Sequence, residues 1–293
     1  MTGRTYAEPA TLDEALRILG ELGPGAGVVA GGTDIVVGAR SGKNPLPDAL
    51  VAIHRLAELD SVAGGSSEPL RLGALVTHGS IEASPLLRER YSALADASAL
   101  VGSPATRHVG TLGGNLCNAS PAMEAGSPLL VYGASVELTS GSGSRTLTVE
   151  DFLLGPGKSA RADGELLTGV SVPVLPERSG SAYVRLEYRR AMEIAVVGAA
   201  ALVVLDGDGR CAEARIALTA VAPTCLRAGA AEASLAGSEP TPEALAEAAR
   251  LSADAASPID DVRAPADYRR AMVPVIVRRA LENALARARG EER

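Results

Sequence analysis

Residues 111–121 read TLGGNLCNASP and residues 28–35 read VVAGGTDI. Each stretch sets a Gly-Gly pair beside a small hydroxyl residue at the edge of an apolar segment. Glycine has no Cβ, so a backbone there approaches a ligand closely and adopts positive φ. Successive amide N–H groups in such turns converge on an anion. Two loops of this kind, far apart in the chain, would clamp the diphosphate of a dinucleotide from two sides.

The surrounding pattern divides the chain into three units. The first runs over 1–57. Thr11 and Glu14 form a capping-box start, and Leu12, Ala15, Leu16, Leu19 and Leu22 follow helical spacing. Val28–Ala30 reads as a short strand entering the first glycine loop, and Asp48–Ile53 as a second, giving a small β-α-β unit. The second unit, 58–177, holds a strand at Leu70–Ala74 and a single helix over 85–100 with Pro85 in its first turn. Strands at Ala134–Thr139 and Thr146–Val149 flank a GSGS turn at 141–144, and another strand spans Leu166–Pro173. The third unit, 181–293, starts with strands at Ala182–Tyr188 and Ala199–Leu205, the latter turning at Asp206–Gly209. A strand at Glu213–Val221 and helices over Pro242–Ala256 and Tyr268–Ala288 complete it. Strands followed by helices make this an antiparallel α+β domain.

Composition bounds the function. Aromatics are only 2% of 293 residues, with six Tyr, one Phe and no Trp. A flat ligand would therefore be gripped by aliphatic side chains and backbone. Twenty-eight basic residues against 35 acidic ones give a net charge of −7, and no basic block is interleaved with aromatics, which disfavours a nucleic-acid surface. No segment reads as a signal peptide or a membrane span, so a cytoplasmic protein without a membrane partner is expected. Cys117, Cys211 and Cys225 are odd in number and widely spaced, and His54, His78 and His108 are scattered. No local metal or iron–sulfur ligand set emerges.

Two glycine-rich stretches are set aside. Gly23-Pro-Gly25-Ala-Gly27 precedes a strand, whereas a Rossmann turn follows one. Gly155-Pro-Gly157-Lys158-Ser159 would place the first P-loop glycine at Phe152. Neither nicotinamide binding by a Rossmann domain nor phosphoryl transfer is supported.

VVAGGTDI and TLGGNLCNASPAME resemble the two flavin loops of the FAD-binding medium subunits of molybdenum hydroxylases, the family of xanthine dehydrogenase and aerobic carbon monoxide dehydrogenase. The resemblance continues through GPGKSARADGELLTGVSVP, RLEYRRAMEIAVVGAA and DDVRAPADYRRAM, in the family's order. It implies an α+β fold: a two-part FAD-binding region of the vanillyl-alcohol-oxidase-like type, then a C-terminal α+β domain. It also implies two partners, a small subunit with [2Fe–2S] clusters and a large subunit with the molybdenum cofactor. FAD would pass electrons from them to NAD, a quinone or oxygen.

The resemblance implies roles residue by residue. Val28, Val29, Ala30, Gly31, Gly32, Thr33, Asp34 and Ile35 would wrap the FAD diphosphate. Thr111, Gly113, Gly114 and Asn115 would form the second clamp. Ser120 would bond the diphosphate or ribityl chain, with Glu124 close by. Val101 would neighbour the flavin, Leu166 and Leu167 would pack on one of the ring systems, and Arg185 falls where a flavin-side Lys is usual. Glu124 and Glu193 each replace a usual Asp, and Arg185 replaces Lys, changing reach and shape while keeping charge. These three changes motivate one alternative, a stand-alone flavoenzyme acting directly on a small molecule; a non-catalytic scaffold that has lost FAD is a second. From the residues alone, Asp34 reads equally as a helix cap, Cys117 as a packing residue and His108 as a surface residue. Arg278, Arg279, Arg287 and Arg289 read as a solvated basic helix face.

Overall fold

The computed structural model describes residues 5–42, 44–189 and 191–291. The first unit comprises β1 (Thr5–Ala7), α1 (Leu12–Leu22), β2 (Ala26–Val29), α2 (Thr33–Arg40) and β3 (Ala49–Ala52). Its strands run parallel in the order β1-β3-β2, so the expected β-α-β unit gains one strand. Thr11 Oγ1 accepts the Glu14 amide, and Glu14 Oε2 accepts the amide of Ala10, one residue before the usual capping-box donor. The apolar face of α1, with Ala15, Leu16 and Leu19, packs on Val51, Ile53 and Leu166.

The second unit contains β4 (Val62–Ala63), β5 (Leu70–Gly73), α3 (His78–Ala83), α4 (Pro85–Arg90), α5 (Ser92–Ala99), α6 (Pro104–Arg107) and α7 (Leu112–Asn118). After these come α8 (Gly126–Tyr132), β6 (Ser135–Ser140), β7 (Gly143–Thr148), α9 (Val149–Phe152), β8 (Leu153–Gly155), β9 (Lys158–Ser159) and β10 (Leu166–Val172). Five strands form an antiparallel sheet in the order β4-β5-β10-β6-β7. The single helix expected over 85–100 is two. Tyr91 breaks it at φ −122° and ψ 44°, held by a T-shaped ring contact with Tyr132 at 5.6 Å and a hydroxyl bond to the Gly65 carbonyl. Tertiary burial of one aromatic overrides helical spacing. The GSGS turn is also tighter than expected, because pairing continues to Ser140 and Gly143.

The third unit comprises β11 (Ser179–Leu186), β12 (Val197–Leu205), β13 (Cys211–Thr219), β14 (Leu226–Arg227), α10 (Gly229–Leu235), α11 (Pro242–Ser252) and α12 (Ala266–Ala288). Its antiparallel sheet runs β11-β12-β13-β14. The turn at 206–209 is set by Asp206 Oδ1, which accepts the amides of Asp208 and Arg210, as a short carboxylate does in an Asx turn. Every residue of β12 is buried, and the two-residue period of a strand explains how. Ala200, Leu202 and Val204 join the core of the second unit. Ala199, Ala201, Val203 and Leu205 face the helices of the third. One strand thus serves two cores and seats the third unit against the second. No helix among the described residues is long and apolar enough to cross a membrane.

Candidate cofactor cleft

The two glycine loops meet in one cleft of about 690 Å³ between the first and second units. It is lined by Val28–Ile35, Val101, Thr111, Gly113, Gly114, Asn115, Leu166 and Leu167. The loops touch directly: a Cβ on Gly31 would lie 1.7 Å from the Val109 carbonyl oxygen. Gly32 has φ 73° and caps α2 in the left-handed region, which a β-branched residue enters only with strain. Asp34 is not the cap. It sits in the first turn of α2 with no capping bond.

The walls differ in what they offer. The amides of Gly31, Gly32, Thr33, Asp34 and Ile35 carry no hydrogen bond within the described residues. They form an open set of donors at a helix N-terminus, where an anion is favoured. The second loop is closed by comparison. Leu112 and Gly113 donate to the carbonyls of Val76 and Ala74, Gly114 to Thr111 Oγ1, and Asn115 to the Thr111 carbonyl. The amides of the second loop are thus taken by the protein's own carbonyls and by the Thr111 hydroxyl. Gly113 is required because its Cβ would lie 2.7 Å from Ala74, a demand of packing. What this loop presents is the Asn115 side chain, whose buried Oδ1 has no partner. A buried acceptor without a partner is costly and fits a ligand hydroxyl or ring N–H.

Three expected residues lie elsewhere. Ser120, Glu124 and Arg185 are not among the lining residues. Ser120 Oγ accepts the Ala122 amide. Arg185, in β11, donates to Glu124 Oε1 at 2.6 Å and to Glu187, and its side chain is 1% exposed. Burial pushes the Glu124 carboxyl up to about 7, while Arg185 beside it pulls the other way. Glu193 is paired with Arg189.

Sequence reasoning missed other lining groups. His78 faces the cleft while His108 is exposed away from it. Burial and the nearby Arg107 hold His78 down to about 4, so it is neutral, with Nδ1 3.3 Å from Ser98 Oγ. Cys117 also lines the cleft, its thiol pushed up to about 11 by burial. The segment dismissed as a false P-loop sends Gly157, Lys158, Ser159 and Arg161 to the cleft. The signal available for it was the family likeness of GPGKSARADG.

A cleft between two units, with open helix-terminal amides on one wall and glycines admitting close approach, is the site of a dinucleotide-binding protein of the flavin class. Residues 2–175 match the family described as FAD binding domain in molybdopterin dehydrogenase, and residues 182–284 match the CO dehydrogenase flavoprotein C-terminal domain. The carbon monoxide dehydrogenase medium chain of Afipia carboxidovorans is 32% identical over 97% of both chains. A putative xanthine dehydrogenase FAD-binding subunit of Escherichia coli is 30% identical over 98% of both. A solved chain of reconstituted CO dehydrogenase from Oligotropha carboxidovorans superposes with a TM-score of 0.91, at 32% identity, covering 97% of this chain and 98% of that one. The chain belongs to the family of FAD-binding subunits of molybdopterin dehydrogenases, and its cofactor is FAD.

Proposed function

We propose that the chain is the FAD-bearing medium subunit of a three-subunit molybdenum hydroxylase. It receives electrons from a small iron–sulfur subunit, fed in turn by a large molybdenum-cofactor subunit, and passes them to NAD, a quinone or oxygen. The observation that carries this reading is the single cleft joining both glycine loops. FAD, when bound, supplies the step between two-electron and one-electron chemistry. The chain's own residues do the rest. The open amides of Gly31–Ile35 receive the diphosphate, Asn115 Oδ1 accepts a hydrogen bond from the ligand, and Leu166 and Leu167 offer an apolar wall. Ser120 and the Glu124–Arg185 pair are outside this lining. In this reading residues 1–57 and 58–177 are the two parts of a vanillyl-alcohol-oxidase-like FAD region, 181–293 is the C-terminal domain, and the protein is cytoplasmic.

Purification from the native host tests the reading. Co-purification with iron–sulfur and molybdenum partners is expected. A yellow, active chain recovered alone would favour a stand-alone flavoenzyme, and a colourless chain that takes up no FAD would favour a scaffold. Of the two cleft-lining groups that could attach a flavin, Cys117 is kept a thiol by burial and His78 is held at Ser98, so denaturation should release the flavin intact and leave a chain of unmodified mass.

A further inference from the structure

Resting on the reading of the cleft as an FAD site, we propose that the β8–β9 hairpin is a third wall of that site, with Lys158 and Arg161 supplying the positive charge that the ligand's diphosphate requires. The glycine loops bring no cation. Among the described lining residues the charged groups are Asp34, Lys158 and Arg161, with His78 neutral. Asp34 stands in the first turn of α2, beside the open amides. A diphosphate carries two negative charges, and the whole chain is at −7. Amide dipoles alone would have to hold that charge against a neighbouring carboxylate.

The hairpin is built to present its cations. Gly155 pairs with Lys158 across a two-residue turn, in which Gly157 has φ 70°. The Gly157 amide donates to the Ala119 carbonyl at the end of α7, and the Ala160 amide to the Phe152 carbonyl, pinning the turn beside the cleft. Lys158 makes no side-chain hydrogen bond or ion pair within the described residues. Arg161 donates to the carbonyls of Ala162 and Glu165; no carboxylate among the described residues forms a salt bridge with it, although its charge acts on the nearby Glu165 carboxyl. The Glu165 carboxylate is taken by a bidentate contact from Arg145. Two cations without a salt-bridge partner among the described residues therefore line a cleft whose ligand is an anion. A guanidinium with free donors suits phosphate oxygens in pairs, and an ammonium acts as a point charge.

Binding of FAD and of riboflavin, which lacks the diphosphate, to the flavin-free full chain separates the possibilities. Lys158→Gln touches no internal contact and is the clean variant; Arg161→Lys keeps charge while removing the fork. Flavin fluorescence quenching, read across a salt series, gives both affinities. Lys158→Gln should weaken FAD by about three- to tenfold at low salt, the range expected of a partly solvated charge. Riboflavin affinity should not change, and the salt dependence of FAD binding should flatten. Lys158→Gln/Arg161→Gln should weaken FAD further, with Arg161→Lys between. Equal losses for FAD and riboflavin, or unchanged FAD affinity in the double variant, would overturn the proposal while leaving the cleft an FAD site. Failure of the unsubstituted chain to bind FAD would bring down the FAD reading itself, and this inference with it.

Discussion

Gly31 and Gly32 are adjacent glycines needed for different reasons. Gly31 is pressed against the Val109 carbonyl, so Gly31→Ala should drive the two loops apart. Gly32 has room for a Cβ, with nothing nearer than 3.7 Å, but stands at φ 73°. Gly32→Val should therefore strain the turn and close off its amides. Both variants should lose FAD binding by at least about tenfold while far-ultraviolet circular dichroism stays near that of the parent. Full FAD retention by both would show that this loop does not hold the cofactor. Glu124 gives a second residue-scale test. Its proton is held more tightly in the folded chain, at about 7, than at the usual carboxylate value. The stabilisation from that proton is complete below about 4.5 and is lost as pH rises through 7, at about 1.4 kcal/mol per pH unit between. Urea midpoints at pH 5 and pH 8 should show the parent losing stability relative to Glu124→Gln. Parallel behaviour would mean that the carboxylate is ionised throughout.

Between elements, the ties are few and specific. Arg287, near the end of α12, grips Asp96 of α5 with two bonds of 2.6 and 3.1 Å and also donates to the Ser181 carbonyl. It is thus no part of a solvated basic face, although Arg278 is, paired with Glu282 along the helix surface. Asp96 in turn accepts the Tyr183 amide, so one carboxylate joins α5, β11 and α12. Arg287→Ala leaves a half-buried carboxylate without its partner and should cost about 1–3 kcal/mol in chemical denaturation. A change below about 0.5 kcal/mol would reduce the contact to a surface pair. At the other end of α12, buried Arg269 bonds the carbonyls of Val196 and Ala220 and the Asp261 carboxylate. Burial would raise Asp261, but bonds from Arg263 and the charges of Arg263 and Arg269 outweigh it and hold the carboxyl at about 2. That stabilisation is present above about 4 and is lost as pH falls toward 2.

Across the whole molecule, β12 ties the second and third units together. Leu202 and Val204 complete the core that holds Leu94, Tyr132 and Tyr183. A fragment ending at residue 177 would expose that surface, at roughly 25 cal/mol for each Å² of apolar area uncovered. Such a fragment should aggregate or unfold without cooperativity, as judged by gel filtration and thermal melting. A soluble, cooperative fragment that binds FAD would show the flavin region to be self-sufficient.

The local signals were legible because they depend on neighbours in sequence. Helical spacing placed α1, short apolar runs bounded by turn residues placed most of the longer strands, and Gly-Gly pairs with flanking hydroxyls marked both loops of the cleft. The family likeness extended that reading to Val101, Leu166 and Leu167, which the fold brings to the same cavity. Tertiary structure alone decided the rest. Whether an amide is open or spent depends on which carbonyl folds over it, and Ala74 and Val76 spend those of the second loop. Whether Glu124 and Arg185 face a ligand or each other depends on how β11 docks beside the loop after α7. Lys158 became a lining residue because a hairpin bends back onto Ala119. Sequence pattern determined where backbone could approach a dinucleotide; the packing of distant segments decided which polar groups remain free to meet it.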